Sequence, residues 1–499
     1  MRDELDKVFA LSPSGLAYDS RQVKPGFVFF AIKGFVQDGH NYVADAVRRG
    51  AVGVVAEKAV EVPAGVLLVK VPDTRLALAL AAARFYGYPG QRLRLVGVTG
   101  TNGKTTTTHL ISALYQARGE KVGLIGTLYA KIGDLFIPEE RTTPESLNLQ
   151  ALLCRMAEKG ATTVVMEVSS HALALKRVAG LEFDVAIFTN LTQDHLDFHR
   201  DAEDYFKAKA ALFTQFLKPG LKARPKLSVL NIDDPYGVRL SAVSNGRIIK
   251  YGVDGVADVR ARDIVLTGAG TRYVAEGSWG QVPVRLKLVG RFNVYNSLAA
   301  FAVGLGEGFP PEEMARVLEN VSVVPGRFEQ VDMGQDFTVV VDYAHTPDGL
   351  ENVLRAARAL TRERVIVVFG CGGDRDPTKR PVMGELAGKL ADFTVVTSDN
   401  PRSEEPLAII NAIEAGLRRV TRHESYVVEP DRRQAIAAAL QRARTGDVVV
   451  IAGKGHEDYQ IIGEAKLPFD DRKIAAAVLR DLVQEKGRGV AHDQHSKGV

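Results

Sequence analysis

The sequence predicts an α/β protein of about three domains with largely parallel sheets. At 499 residues the chain is too long for one ordinary core, and roughly 150 residues per domain makes about three. Strand-like apolar runs alternate with helical patterns along most of its length. In the last third, each run is followed by a helical stretch of the length that a right-handed crossover needs.

The elements can be taken in order. VFFAI (28–32), VGVVA (52–56) and VLLVKV (66–71) read as strands, and the Ala- and Leu-rich stretch from Asp73 to Tyr86 reads as a helix. The turn residues of YGYPGQ (86–91) mark a boundary. A second series runs through RLRLVGV (92–98), KVGLIG (121–126), TTVVMEV (162–168), VAIFTN (185–190) and LSVLNI (227–232). Residues 245–288 alternate irregularly, with many Gly and Val, and read as a small β excursion. LVGRFNVYNSLAAFAVGLG (288–306) reads as a loop and helix, and VVPGRFE (323–329) as a hinge. The third series is FTVVVDY (337–343), RVIVVFG (364–370), FTVVTSD (393–399), SYVVEP (425–430) and DVVVIAG (447–453). The polar tail KGRGVAHDQHSKGV (486–499) reads as disordered, its two histidines solvated rather than metal-binding.

Composition narrows the classes of function. The chain is 46% hydrophobic, 25% charged and 7% aromatic, as a soluble globular protein is. A net charge of +4 gives no basic footprint for nucleic acid. Two cysteines, Cys154 and Cys371, allow at most one bridge and suit a reducing cytoplasm. MRDELDKVF carries charge where a signal peptide needs an apolar segment, and no apolar run is long enough to cross a bilayer. Neither secretion nor membrane insertion is expected.

The motif that carries chemistry is GVTGTNGKTTTT (97–108), between a strand and the helical stretch THLISALYQA. Gly103-Lys104-Thr105 fits the end of a phosphate-binding loop, although the position five before Gly103 is Val98 rather than Gly. A helix N-terminus here faces an anion, with Lys104 reaching the β- and γ-phosphates and the Thr105 hydroxyl reaching Mg²⁺. ATP or GTP is expected. MEVSSH (166–171) ends a strand with Glu167, at the carboxyl edge where ligands of open sheets collect, and can complete a Mg²⁺ shell. DHLDFH (194–199) places His195 and His199 beside two aspartates one unit later. Asp201 reads as the N-cap of a helix whose stripe is Phe206, Lys209, Phe213 and Phe216. An amine there either snorkels to solvent or stays neutral and reacts with CO₂ to give a carbamate.

Taken together, TGTNGKTT, TTPES (142–146), MEVSSHAL, TNLTQDHLDFH, YFKAKAALF, GRFNVYNSLAA, PGRFE, VDYAHTPD, GCGGDRD, SDNPR and AGKGHED resemble the Mur ligase family, the ATP-dependent amino-acid ligases of peptidoglycan assembly. Eleven motifs in the family's order make the resemblance specific, and it covers nearly the whole chain. It implies a small α/β domain binding a UDP-sugar over residues 1–90. A central P-loop ATPase domain with a mostly parallel sheet then spans 91–325, and a Rossmann-like domain binding the amino acid spans 326–499. Within the family, the motifs look most like the branch that adds meso-2,6-diaminopimelate to UDP-N-acetylmuramoyl-L-alanyl-D-glutamate. A folylpolyglutamate synthetase, a lysine-adding relative and a P-loop ATPase that switches a partner are the rivals.

The resemblance also implies roles for residues. Gly100, Thr101, Asn102, Gly103, Lys104, Thr105 and Thr106 match the ATP loop. Thr105 and Glu167 match a first Mg²⁺ site and His195 a second, while Lys209 matches the lysine that becomes a carbamate. Asn293 would face the adenine, Asp342 the ribose and Arg327 the phosphates. The chemistry then falls to Lys104, His195, Lys209 and Arg327. Tyr18 and Ser20 resemble uridine-side contacts, and Thr142, Thr143, Ser169 and Arg177 fall at substrate positions. Phe35, Val36, Arg141 and Leu175 depart from polar residues of relatives. For the acceptor, Arg402 offers a guanidinium fork to a carboxylate, with Arg375, Asp399, Asn400, Pro401, Gly453 and Glu457 at the matching positions. Ser403-Glu404-Glu405 is expected to begin the next helix with a Ser cap. The enzyme is expected to work as a monomer.

Overall fold

The computed structural model describes every residue except 36, 140, 221, 323, 422 and 497–499, and the side chains of 423 and 486–496 are also left aside. Val36 thus lies outside the described residues. Three principal sheets follow one another along the chain. The first has four parallel strands in sequence order: Gly15–Ala17, Phe27–Phe30, Gly53–Ala56 and Leu67–Lys70.

The second sheet has eleven strands. Its parallel centre runs Arg247–Gly252, Leu227–Asn231, Val185–Phe188, Arg94–Thr99, Thr163–Glu167, Val122–Ile125. The expected β excursion is the wing on one side: Val259–Thr267 joins in parallel, then Gly270–Gly277 and Gly280–Leu286 return antiparallel. Ala130–Ile132 and Leu135–Ile137 extend the other side. The third sheet runs Glu329–Gln330, Thr338–Asp342, Val448–Ala452, Val365–Phe369, Phe393–Val396, Tyr426–Val428 and is parallel beyond its first strand. A short hairpin, Tyr459–Ile462 with Ala465–Pro468, follows it.

The central strands of the last two sheets are buried along their length, because helices cover both faces. Helix Lys104–Ala117 packs Leu110, Ile111 and Leu114 on one face of the second sheet, and helix Arg291–Gly306 lies beside it. The loops at the carboxyl ends of the second and third sheets share one cavity of about 570 Å³. The site is therefore built between two sheets.

Four local readings are corrected. The first sheet contains a strand, Gly15–Ala17, and is preceded by a helix, Arg2–Ala10, neither of which the sequence announced. YGYPGQ contains a one-turn helix, Pro89–Arg92, because Pro89 supplies a helical φ at its first position. The last helix runs Asp471–Ser496 and takes in most of the tail read as disordered. Burial of Ile474, Ala475 and Leu479 anchors its start, and propagation then adds one hydrogen bond per residue. Ser403 does not cap a helix. The helix is Pro406–Leu417 with Glu405 at its N-cap, since Pro406 suits the first helical position and disfavours helix before it.

Candidate active site

Strand Arg94–Thr99 delivers the chain into a tight loop at Gly100–Gly103. Gly100 has φ +152°, and a Cβ there would stand 1.8 Å from the Thr189 hydroxyl. Gly103 has φ +85° and caps helix Lys104–Ala117, with Asn296 Oδ1 2.3 Å from where a Cβ would lie. Only glycine fits either place. The Thr101 amide donates to Asn190 O at 2.9 Å, and the Asn102 amide to Asn190 Oδ1 at 2.9 Å. The Asn102 side chain crosses to the third sheet and donates to Asp348 Oδ2 at 2.6 Å.

Three cations converge on this loop. Lys104 Nζ donates to Gly100 O at 2.9 Å and Thr101 O at 2.8 Å, and Lys209 Nζ donates to the same Gly100 O at 2.8 Å. Burial lowers the pKa of both amines, and Lys104 lowers that of Lys209 further. Lys209 is 1% exposed and sits 4.4 Å from the Tyr205 ring centre, so the snorkelling arrangement does not occur. Its helix, Ala202–Ala211, is capped by Asp201 as expected, through Asp204 N at 2.8 Å. Arg327 Nη2 donates to Thr105 Oγ1 at 3.0 Å, with the guanidinium 4.6 Å from the Tyr343 ring centre and Nε buried without a partner. Backbone amides at a helix N-terminus, two lysines held only by carbonyls and an unpartnered guanidinium N–H fit a polyphosphate.

The metal candidates stand around the same cavity. Thr105, Glu167 and His195 line it. Glu167 is 1% exposed, and Thr127 occupies both its oxygens, by N at 2.9 Å and Oγ1 at 3.0 Å. His195 takes φ +58°, close against Asp194 Oδ2 at 3.3 Å, and burial pushes its pKa down to about 3, so the neutral ring is available as a ligand. Among the described residues, no three His, Cys, Asp or Glu side chains gather into a metal cage. The donors present include a hydroxyl and a carboxylate, whose oxygens suit Mg²⁺, and an imidazole.

Thr106 is buried in the first turn of the loop helix. Asn293 is also buried, donating to Val289 O at 2.8 Å and accepting from Asn296 Nδ2 at 3.0 Å. Asn296, one turn later on the same face, is the amide that lines the cavity. Sequence reasoning passed over it, as it did His345, Asp348, Asn190 and Thr127 on the same walls. Asp342 lines the cavity, accepts from Phe328 N at 2.7 Å and has its pKa pushed up to about 6 by burial.

The nucleotide-sugar candidates form two groups. Thr142 Oγ1 lies 3.0 Å from Thr127 Oγ1. Thr143 Oγ1 donates to Glu167 O at 2.9 Å and accepts from Ser169 N at 3.1 Å, while Arg177 Nη1 donates to Thr143 O at 3.1 Å. Ser169 caps helix Ser170–Ala174, and Leu175 is its C-cap. Arg141 and Arg177 both pair with Glu145. Tyr18 and Ser20 belong to the first sheet's side, where the Tyr18 hydroxyl reaches Asn148 Oδ1 at 3.4 Å and Ser20 is buried. Phe35 is 74% exposed, its ring edge-on to Phe198 with centroids 5.6 Å apart.

The acceptor candidates cluster at the carboxyl end of the third sheet. Asn400 Nδ2 donates to Glu457 Oε2 at 3.0 Å, and Gly373 N donates to Asn400 O at 2.9 Å. Arg402, at φ +52°, donates through Nη1 to Gly373 O at 2.6 Å. Arg375 lies close enough to depress its pKa further after burial, and itself donates to Asp374 O at 2.8 Å. Ser403 Oγ, free of any cap, donates to Asp374 Oδ1 at 2.6 Å. Gly453 has φ +120°, and a Cβ there would lie 3.2 Å from Asp399 Oδ2. Burial and the neighbouring Asp399 raise the pKa of Glu457. Pro401 completes the turn, with its carbonyl against Gly373.

Comparison with known proteins gives a consistent picture. Residues 13–86 match the Mur ligase family, catalytic domain; residues 98–304 the Mur ligase middle domain; and residues 326–455 the Mur ligase, glutamate ligase domain. The UDP-N-acetylmuramoyl-L-alanyl-D-glutamate--2,6-diaminopimelate ligase of Syntrophomonas wolfei subsp. wolfei is 49% identical over 471 residues, 94% of this chain and 95% of that protein. The protein of the same name from Geobacillus thermodenitrificans is 51% identical over 93% of this chain and 94% of its own. A solved structure of a ligase of that name superposes with a TM-score of 0.66 at 32% identity, covering 95% of each chain.

Proposed function

The chain belongs to the Mur ligase family, and we propose that it is the ATP-dependent ligase that joins meso-2,6-diaminopimelate to the D-glutamyl γ-carboxylate of UDP-N-acetylmuramoyl-L-alanyl-D-glutamate. The observation that carries this reading is the pairing of two differently built pockets. One, at the P-loop, gathers Lys104, Lys209 and Arg327, whose hydrogen bonds go to backbone carbonyls and a hydroxyl. The other, at SDNPR, sets Arg402 within electrostatic reach of Arg375, Asp399 and Glu457. The relatives' shared name names both substrates. We take the modules as residues 1–90, 91–325 and 326–499.

ATP supplies the phosphoryl group that activates the γ-carboxylate as an acyl phosphate. Lys104 and Arg327 neutralise the phosphoryl oxygens as charge moves toward the leaving nucleotide. Gly100 and Gly103 let the backbone amides approach, and Asp342 holds the sugar of the nucleotide, with Asn296 and Asn293 at its base. Two Mg²⁺ ions, held by Thr105, Glu167, His195 and the carbamate of Lys209, would supply further positive charge. Burial and the neighbouring Lys104 lower the pKa of Lys209, which favours the neutral amine, the form that adds to CO₂. Tyr18, Ser20, Thr142, Thr143, Ser169 and Arg177 hold the nucleotide-sugar.

At the other site, Arg402 and Arg375 face a carboxylate of the acceptor, while Glu457 and Asp399 hold an ammonium and Asn400 orients Glu457. The acceptor's other amine attacks the acyl carbon, the amide bond forms and inorganic phosphate leaves. No protein nucleophile is needed. Cys154 and Cys371 are free thiols with pKa values raised by burial. Charged nucleotide substrates and free thiols suit a cytoplasmic enzyme. Among the described residues no helix is long and apolar enough to cross a membrane.

The test is ADP release from UDP-N-acetylmuramoyl-L-alanyl-D-glutamate and ATP with diaminopimelate, with L-lysine, or with no acceptor. Release that depends on diaminopimelate, with the tripeptide product detected, supports the proposal. Equal release without an acceptor points to the switch ATPase, and equal use of lysine removes the acceptor assignment.

A further inference from the structure

Lys454 stands between Gly453 and Glu457 in the loop AGKGHED, yet none of the roles above uses it. Its side chain is fully buried. Nζ donates to Asn400 Oδ1 at 2.8 Å and to Tyr459 O at 2.8 Å, and lies 3.2 Å from Asp399 Oδ1. Glu457 Oε2 is 3.7 Å away. Two acceptors take hydrogen bonds from this ammonium, and the Asp399 carboxylate completes its surroundings as an ion-pair partner.

The consequence falls on Asn400. Its Oδ1 accepts from Lys454 Nζ and from Ile461 N at 3.0 Å, and both partners can only donate. The amide therefore has one orientation, with Nδ2 turned to Glu457 Oε2 at 3.0 Å. Lys454 also fastens the hairpin strand Tyr459–Ile462 against the SDNPR loop. That seam is continued by Gln460 Nε2 to Asp399 O at 2.7 Å and by Arg402 N to Ile461 O at 3.1 Å. One buried cation thus orients Asn400, lies beside the carboxylates of Asp399 and Glu457, and braces the backbone that carries Arg402.

We propose that Lys454 is a positioning residue of the acceptor site, which holds Asp399 and, through the orientation of Asn400, Glu457 for the acceptor amine without touching the acceptor. The proposal rests on the ligase reading above.

Steady-state kinetics of the full chain decides it, with KM measured separately for diaminopimelate, ATP and the nucleotide-sugar, alongside Tm. The wild-type enzyme comes first, since absence of diaminopimelate-dependent product there defeats the ligase reading itself. Lys454→Gln retains a donor but no charge, whereas Lys454→Met retains neither. The expected result is an acceptor KM raised about tenfold in the Gln variant and further in the Met variant, as charge-assisted hydrogen bonds are lost. The other two KM values are expected to stay within about twofold, a split that general loosening does not give. If the Met variant does not fold, the Gln variant carries the test. An unchanged acceptor KM in the Gln variant overturns the proposal. So does loss of nucleotide-sugar binding and Tm together in both variants, which leaves Lys454 a role in folding alone.

Discussion

Asp342 stores a measurable tension between stability and function. It ends strand Thr338–Asp342, is 8% exposed, and keeps one oxygen on Phe328 N at 2.7 Å. Burial raises its pKa from 3.8 to about 6, against the pull of Arg327. Below the lower value the carboxyl is protonated in folded and unfolded chains alike. Between the two values the unfolded chain ionises first, so stability falls as pH rises and levels off above pH 6. At 1.36 kcal/mol per pH unit, the interval corresponds to a loss on the order of 3 kcal/mol by pH 8.

Asp342→Asn removes that dependence, because an amide oxygen can still accept from Phe328 N and carries no charge. The variant is expected to melt several degrees above wild type at pH 8, the two converging near pH 4. Its kcat/KM for ATP is expected to fall, since the ribose contact is lost. Scanning calorimetry from pH 4.5 to 8 reads the first part, and initial rates with varied ATP read the second. Other titrating groups cancel in the difference between the two proteins. An Asn variant less stable than wild type at pH 8, or a gap that does not change with pH, refutes the reasoning.

Lys104→Ala is expected to abolish ligation while leaving the fold intact, because it removes a charge-assisted contact to phosphate; near-normal activity rejects the nucleotide assignment. Lys209→Arg keeps a positive charge but cannot form a carbamate, so it is expected to fail as badly as Lys209→Ala, and retention of most activity counts against the carbamate. Arg402→Ala is expected to weaken diaminopimelate use by about 2–5 kcal/mol, a loss of one to several orders of magnitude in kcat/KM, while nucleotide-sugar binding measured by calorimetry holds. An Arg402→Ala enzyme that still discriminates diaminopimelate from lysine as wild type does removes Arg402 from the acceptor site.

The sequence showed the central strands of the second and third sheets because they are covered on both faces and so read as uninterrupted apolar runs, as in VIVVF and VVVIA, whereas the short edge strands Ala130–Ile132, Leu135–Ile137 and Glu329–Gln330 went unread. Gly15–Ala17 was hidden because three residues give no period to read. Motif loops were visible for a similar local reason: a P-loop's glycines, lysine and threonine are consecutive. What stayed hidden is long-range or one helical turn off. Asn102 meets Asp348 across 246 residues. Asn293 and Asn296 lie on one helix face, and only packing decides which amide reaches the cavity. Lys454 was overlooked because its neighbours Gly453 and Glu457 drew the reading, and a buried lysine has no local signature.

The electrostatics of the two pockets explain why both are needed in one molecule. At the P-loop, Lys104 and Lys209 lean on backbone carbonyls, and Arg327 leaves a buried N–H unused. Glu167, the nearby carboxylate, is already engaged by Thr127. Among the described residues neither Lys104 nor Arg327 forms a direct ion pair, although Asp194 and Glu167 act on Lys104 from a distance, which leaves their N–H groups free to meet a polyanion. At SDNPR the buried cations are matched: Lys454 faces Asp399, and Arg432 pairs with Asp471 at 2.7 Å with both side chains 0% exposed. Arg432 also donates to Ala452 O at 2.9 Å, beneath the Gly453 loop. Lys454 and Arg432 hold the Asp399 carboxyl below its ordinary pKa although burial works the other way. A pocket neutralised from beneath meets a zwitterion without a large excess of either sign, and selects it by where each charge sits. Placing the phosphate-facing groups and the acceptor-facing ones at the carboxyl ends of two different sheets keeps the phosphate-seeking field away from the site that must read an amino acid.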